Sequence, residues 1–137
     1  METCRRIEGL VDFIAGRYSK IAEIGIGLFP DVAHALIEKG TKVFATDIVP
    51  VYYDGVKVIV DDITDPDISL YNQIDLIYSM RPPPELFPYM KSLAKKISAD
   101  LIVKPLSSDY IEGLRPIRHR ESTFFVWNHE QILCVRR

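Results

Sequence analysis

The 137-residue sequence is poor in cysteine, has only seven glycines, and contains no uninterrupted apolar run of the roughly 18 residues that a bilayer-spanning helix needs. Its two cysteines, Cys4 and Cys134, lie near opposite ends without metal-ligand spacing. That argues against a disulfide framework or a zinc site and fits a reducing cytoplasm. An excess of one charge is also missing: 17 Lys and Arg stand against 19 Asp and Glu, for a formal net charge of −2. A balance this close to neutral excludes a protein whose main work is coating nucleic acid or an anionic membrane. The amino terminus, Met1-Glu2-Thr3-Cys4-Arg5-Arg6, runs into an amphipathic segment instead of the apolar core of a signal peptide, so a cytoplasmic protein without membrane association is expected. His34, His119 and His129 share no ligand spacing and read as surface residues, and no metal is expected.

What is present is ordinary globular composition, 47% hydrophobic and 26% charged, in a length that suits a single domain over residues 1–137. Ile7, Leu10, Val11, Ile14 and Tyr18 recur at spacings of three and four, which predicts a helix over about residues 5–18. Short strands are predicted at 20–24, 42–46, 56–60, 74–79 and 101–103. A helix starting near Pro30-Asp31 and ending before Gly40 separates the first two strands. Leu86, Met90, Leu93, Ala94 and Ile97 mark another before the fifth strand. Phe124–Trp127 and Ile132–Val135 read as a closing hairpin, with Asn128–Gln131 as its turn. This alternation predicts an α/β, Rossmann-like, mainly parallel sheet with helices on both faces and an antiparallel C-terminal hairpin. Ser107–Ser122 shows no clear element. Within it, Arg115-Pro116-Ile117-Arg118-His119-Arg120 forms a basic cluster that reads first as a solvated loop and, as an alternative, as a contact for RNA phosphates.

Ligands of open parallel sheets bind at the carboxyl ends of the strands. Here those ends carry Glu23-Ile24-Gly25-Ile26-Gly27, then Asp47, then Asp61-Asp62, then Ser79 through Pro84. Two glycines allow a tight turn and close approach of a ligand to the backbone. Asp47 follows Gly25 by 22 residues, near the spacing at which an acid accepts hydrogen bonds from ribose hydroxyls. A nucleoside site follows. A dinucleotide fingerprint needs a third glycine where Pro30 stands, which disfavours an NAD or related dinucleotide site.

Glu23-Ile24-Gly25-Ile26-Gly27, Asp47-Ile48 and Asp62-Ile63 resemble the nucleoside half of class I S-adenosylmethionine (SAM) dependent methyltransferases. The resemblance implies that the glycine loop wraps the methionine and ribose, that Asp47 holds the ribose hydroxyls, and that the acid after the third strand meets the adenine amino group. It further implies SAM as cofactor, with Glu23, Gly25, Gly27, Asp47, Ile48, Asp62 and Ile63 around it and an adenosyl small molecule as the bound partner. More narrowly, Glu23-Ile-Gly-Ile-Gly-Leu-Phe-Pro-Asp31 and Ser79-Met-Arg-Pro-Pro-Pro-Glu85 resemble uncharacterised protein family 0146, small archaeal Rossmann-like proteins related to those methyltransferases.

Two departures bear on catalysis. Phe29 takes the place of the methyltransferases' third glycine and is expected to crowd the methionine end unless the loop bends away. Arg81-Pro82-Pro83-Pro84 keeps the prolines of an amino-group methyltransferase loop but not their flanking residues, leaving Ser79 and Arg81 as candidates at the reacting end and the methyl acceptor open. Arg81 could hold a carboxylate or phosphate through a forked pair of hydrogen bonds. The sheet and cofactor loops take up nearly all of the chain. A substrate site must therefore be open, built from short loops, or shared with a partner such as a second copy. The alternatives to a methyltransferase are an inert binding or assembly module and an NAD- or nucleotide-binding domain.

Overall fold

A computed structural model of the chain describes residues 2–106 and 111–129. The elements run α1 (Glu2–Ala15), β1 (Lys20–Ile24), α2 (Asp31–Glu38), β2 (Lys42–Asp47), β3 (Lys57–Val60), β4 (Leu76–Met80), α3 (Phe87–Ile97), β5 (Asp100–Lys104), β6 (Arg115–His119) and β7 (Ser122–Trp127). Short 3₁₀ turns at Ile68–Tyr71 and Pro84–Leu86 lead into β4 and α3. All seven strands join one sheet in the order β3-β2-β1-β4-β5-β7-β6. The first five in that order are parallel, and β7 and β6 close the edge antiparallel.

Alternation along the central strands supplies two cores because successive side chains leave opposite faces of a strand. Ile21, Leu76, Tyr78, Ile102, Phe124 and Val126 pack against Leu10, Ile14, Val32 and Leu36 of α1 and α2. Ala22, Ile24, Ile77, Leu101, Val103 and Phe125 pack against Met90, Leu93 and Ala94 of α3. Each fully buried Leu or Ile contributes roughly 2 kcal/mol of apolar transfer, so the two helix layers rest on these stripes more than on helix propensity. At Gly9 a Cβ would collide with the carbonyl oxygen of His119, so α1 lies against the β6–β7 turn only because that residue is glycine. Among the described residues no helix is long and apolar enough to cross a membrane.

Four expectations change. The antiparallel hairpin is present, but Phe124–Trp127 pairs upstream with Arg115–His119. Asn128 and His129 fold back onto Asp100, and residues 132–135 lie outside the described residues, as does Cys134. The basic cluster is thus an edge strand instead of a loop, with Arg115 and Arg118 adding charge and Pro116 removing one backbone donor. Helix α1 ends at Ala15, before Tyr18, whose hydroxyl donates to Asp100 Oδ2 at 2.6 Å. Finally, His119 and His129 are not plain surface residues. Each ring meets a carboxylate, Asp12 at 2.9 Å and Asp100 at 3.0 Å respectively.

Candidate functional site

Strand β1 leads rightward and leftward in the sheet to β2 and β4, so the strand order reverses between β1 and β4. A crevice opens outside the carboxyl ends of strands at such a point. Here it is a cleft of about 360 Å³ lined by Ile24 and Gly25 after β1, Thr46, Asp47 and Ile48 after β2, Asp61 to Thr64 after β3, Ser79 to Pro83 after β4, and Leu86 and Met90. That volume lies within the range of about 300–1,000 Å³ usual for small-molecule sites.

The first wall is the glycine turn. Gly25 and Gly27 have φ of 70° and 54°, left-handed values that side chains with a Cβ adopt at a cost. The backbone N–H groups of Gly25 and Ile26 both donate to the Thr46 carbonyl, at 2.9 and 3.1 Å, which binds the turn to the end of β2. Beside Gly25 the Cβ direction is open space, so the cleft reaches the backbone there. Gly27 N–H donates to Asp47 Oδ2 at 2.7 Å, and the Tyr53 hydroxyl donates to the Gly27 carbonyl. Phe29 turns back through a 3.1 Å bond from its N–H to Ile26 O and packs against the α1/α2 core. It does not line the cleft. Its ring thus turns toward the helix core at this bend of the loop.

The second wall is acidic. Asp47 Oδ1 accepts from Val49 N–H at 3.2 Å, so each of its oxygens holds one backbone donor. A carboxylate offers about four lone-pair sites, which leaves room for a ligand's hydroxyls. Asp61 is pinned by the Tyr71 hydroxyl and by Asp67 N–H, both at 3.0 Å. Asp62 takes Thr64 N–H and Oγ1–H on Oδ1, at 2.9 and 2.8 Å, and these bonds hold its carboxyl below the usual range. Its Oδ2 has no donor among the described residues. Ile48 and Ile63 flank these acids with apolar surface.

The third wall follows β4. Ser79 is buried and its hydroxyl donates to Ile24 O at 2.8 Å, stitching β4 to β1 at the reversal point. Arg81 is exposed with φ of 55°, held by its N–H bond to Lys104 O at 2.6 Å. Its guanidinium lies 5.3 Å from the Phe29 ring centre, within cation–π range.

Of the nine residues expected from the sequence, seven therefore line one cleft: Gly25, Asp47, Ile48, Asp62, Ile63, Ser79 and Arg81. Gly27 stands behind Asp47 and supports it. Glu23 lies elsewhere, fully buried in β1, with Oε1 accepting from the Tyr78 hydroxyl at 2.6 Å and Oε2 without a partner. Burial pushes its carboxyl up to about 8 and also raises the Tyr78 phenol. Sequence reasoning missed the apolar floor made by Leu86 and Met90, although their spacing of four on one helix face was visible.

The geometry defines a class before it defines a family: a Rossmann-like sheet of the SAM-methyltransferase type. Solved structures agree on the fold. A sugar N-methyltransferase from Streptoalloteichus superposes with a TM-score of 0.58 at 15% identity, covering 83% of this chain and 55% of that one. This chain thus spans about half the length of that enzyme. A SAM-bound amino pentose methyltransferase from Micromonospora echinaspora gives 0.55 at 13% identity, covering 83% of this chain and 58% of the other. The chain itself belongs to the uncharacterised protein family UPF0146, whose family model matches residues 7–129. A UPF0146 protein of Archaeoglobus fulgidus is 41% identical over 123 residues, covering 88% of this chain and 94% of the relative.

Proposed function

We propose that the cleft binds an adenosyl cofactor, SAM or its demethylated product, and that the protein works as a small methyltransferase of this fold. One observation carries the reading: the glycine turn, Asp47 and Asp62, far apart in sequence, meet with Ile48 and Ile63 around one cleft at the strand-order reversal. The fit is chemical as well as spatial. Open space beside Gly25 admits a ligand against the backbone, Asp47 retains acceptor capacity for ribose hydroxyls, and Asp62 Oδ2 is free to accept from an adenine amino group. Ile48, Ile63, Leu86 and Met90 offer apolar surface to the base. Glu23 contributes from beneath, through Tyr78 and the β1–β4 pairing, instead of touching the ligand.

When bound, SAM supplies an electrophilic methyl group, and the protein's task is to align an acceptor with it. Ser79 and Arg81 border that end. A second reading, a binding module without turnover, draws support from the same wall. The Ser79 hydroxyl is engaged with Ile24 O, Arg81 is permanently charged, and among the described residues no His, Lys, Cys or Tyr lines the cleft to take a proton.

Thermal shift and calorimetry with SAM, S-adenosylhomocysteine (SAH), NADH and ATP test the binding claim, since a ligand of the folded state must raise its melting temperature. Stabilisation by SAM and SAH is expected. Stabilisation by NADH alone, or by none at millimolar concentration, sinks it. Transfer of labelled methyl groups into cell extract then separates enzyme from module.

A further inference from the structure

The cleft has electrically distinct ends. Asp47, Asp61 and Asp62 lie along the β2–β3 side, while Arg81 is the one cation among the described lining residues and stands on the β4 side. No carboxylate among the described residues pairs with Arg81, in contrast to Arg120, which meets Glu8 at 3.2 Å. An unpaired guanidinium at a protein surface is usually mobile, but this one is held at three points. Its backbone is locked in the left-handed region by the 2.6 Å bond to Lys104 O. Its successor Pro82 is buried, with Pro83 and Pro84 stiffening the path into α3. Its side chain lies over Phe29, which the β1 loop presents from the opposite side of the reversal point. A cation–π approach to the ring face leaves the guanidinium's forked N–H donors available.

We propose that Arg81, within cation–π range of Phe29, forms an anion subsite at the β4 end of the cleft that takes a carboxylate or phosphate group of the bound ligands. This inference rests on the cleft being a ligand site, as proposed above, but not on the ligand being adenosyl. The two sources of such a group are the amino-acid carboxylate of the cofactor itself and an anionic group on a second ligand, the methyl acceptor.

Calorimetry and the Arg81 side-chain N–H resonance of the full chain distinguish them, with adenosine, SAH and inorganic phosphate as probes. Adenosine is expected to leave the Arg81 resonance in place, and SAH or phosphate to shift it. A charge-assisted hydrogen bond corresponds to roughly tenfold or more in affinity. Arg81→Gln should therefore weaken the responsive probe by about tenfold while adenosine affinity holds. Arg81→Lys, which keeps charge but loses the fork, should recover only part. Loss of the SAH-over-adenosine preference assigns the anion to the cofactor; loss of phosphate binding to SAH-loaded protein assigns it to a second ligand. Phe29→Leu should show the same pattern at smaller amplitude. Phosphate binding without adenosine or SAH binding would overturn the adenosyl reading and leave the subsite standing. If neither SAH nor phosphate moves the Arg81 resonance and folded Arg81→Gln binds all three probes as the parent does, the subsite is wrong.

Discussion

Carboxylates mark both ends of the parallel sheet, and they are used in opposite ways. At the amino ends of the strands Asp75 accepts from Ser19 N–H, Ser19 Oγ–H and Lys20 N–H, at 3.1, 3.3 and 3.1 Å. Asp100 takes the Tyr18 hydroxyl, the Asn128 amide, and both the backbone N–H and the ring Nδ1 of His129. Asp100 with four donors is saturated and Asp75 with three is nearly so, and they tie the α1–β1 connection, β5 and the end of β7 together. At the carboxyl ends, among the described residues, Asp47 holds one donor per oxygen and Asp62 has an Oδ2 without a donor. Residue type alone does not distinguish the two sets. Donor count does: a carboxylate whose lone pairs are filled by its own chain is a fastener, and one left partly empty beside a cleft can bind.

Asp100→Ala should break the fastening end with the largest effect. The side chain is 13% exposed, and four donors would lose their acceptor. Leaving buried donors unpaired costs about 1–3 kcal/mol per group, so a net loss of about 3 kcal/mol is expected in chemical denaturation. Ligand affinity should stay within about twofold. Asp100's carboxyl is held below its ordinary value by the Tyr18, His129 and Asn128 bonds, against the opposing effect of burial. Its contribution is therefore present above the unfolded-state value and lost as pH falls through the folded one.

Glu23 belongs to neither set, because it is buried and only half paired. Its folded value near 8 exceeds the ordinary glutamate value of 4.5, so between those pH values the folded state holds a proton that the unfolded state has released. Stability should then fall as pH rises from about 5 to 8, by at most about 1.4 kcal/mol per pH unit. Glu23→Gln should flatten this dependence, matching the parent near pH 5 and exceeding it at pH 8. Melting temperatures across that range decide it. A parallel decline in both proteins would mean that Glu23 ionises freely in the fold.

The contrast between the ends also explains what could be read from the sequence. Gly25, Asp47 and Asp62 follow apolar strands directly, and a parallel sheet brings strand ends together whatever their separation in sequence. The cleft was therefore legible from local patterns. The fastening end was not, since Tyr18, Asp100 and His129 meet only through tertiary placement and obey no spacing rule. Strand β6 hid for a different reason: an edge strand carrying Arg115, Pro116 and Arg118 lacks the alternating apolar face that marks a buried strand. The burial of Glu23 against Tyr78 was not legible either, because an acid before a glycine turn looks the same in sequence whether it faces a cleft or a tyrosine on the neighbouring strand.

At the binding end, Asp47→Ala removes the acceptor for Gly27 and Val49 N–H together with the proposed ribose contact. SAH affinity should fall by about tenfold to a hundredfold in calorimetry, with a stability loss of about 1 kcal/mol because the freed N–H groups can reach water. A loss of stability comparable to that of Asp100→Ala would erase the distinction between the two ends.

The smallest effect is the most specific. Asp62→Asn keeps an Oδ1 to accept from Thr64, so the turn after β3 should survive. It replaces the unpaired Oδ2 by an NH₂ donor, which faces an adenine amino group donor to donor but suits the ring carbonyl of inosine. Adenosine affinity should drop by about threefold and inosine affinity should rise, at unchanged melting temperature. Equal losses for both nucleosides would move Asp62 away from the base edge. Reversal of preference at constant stability would show that a carboxylate with one empty oxygen reads a ligand where a saturated one can only hold the chain.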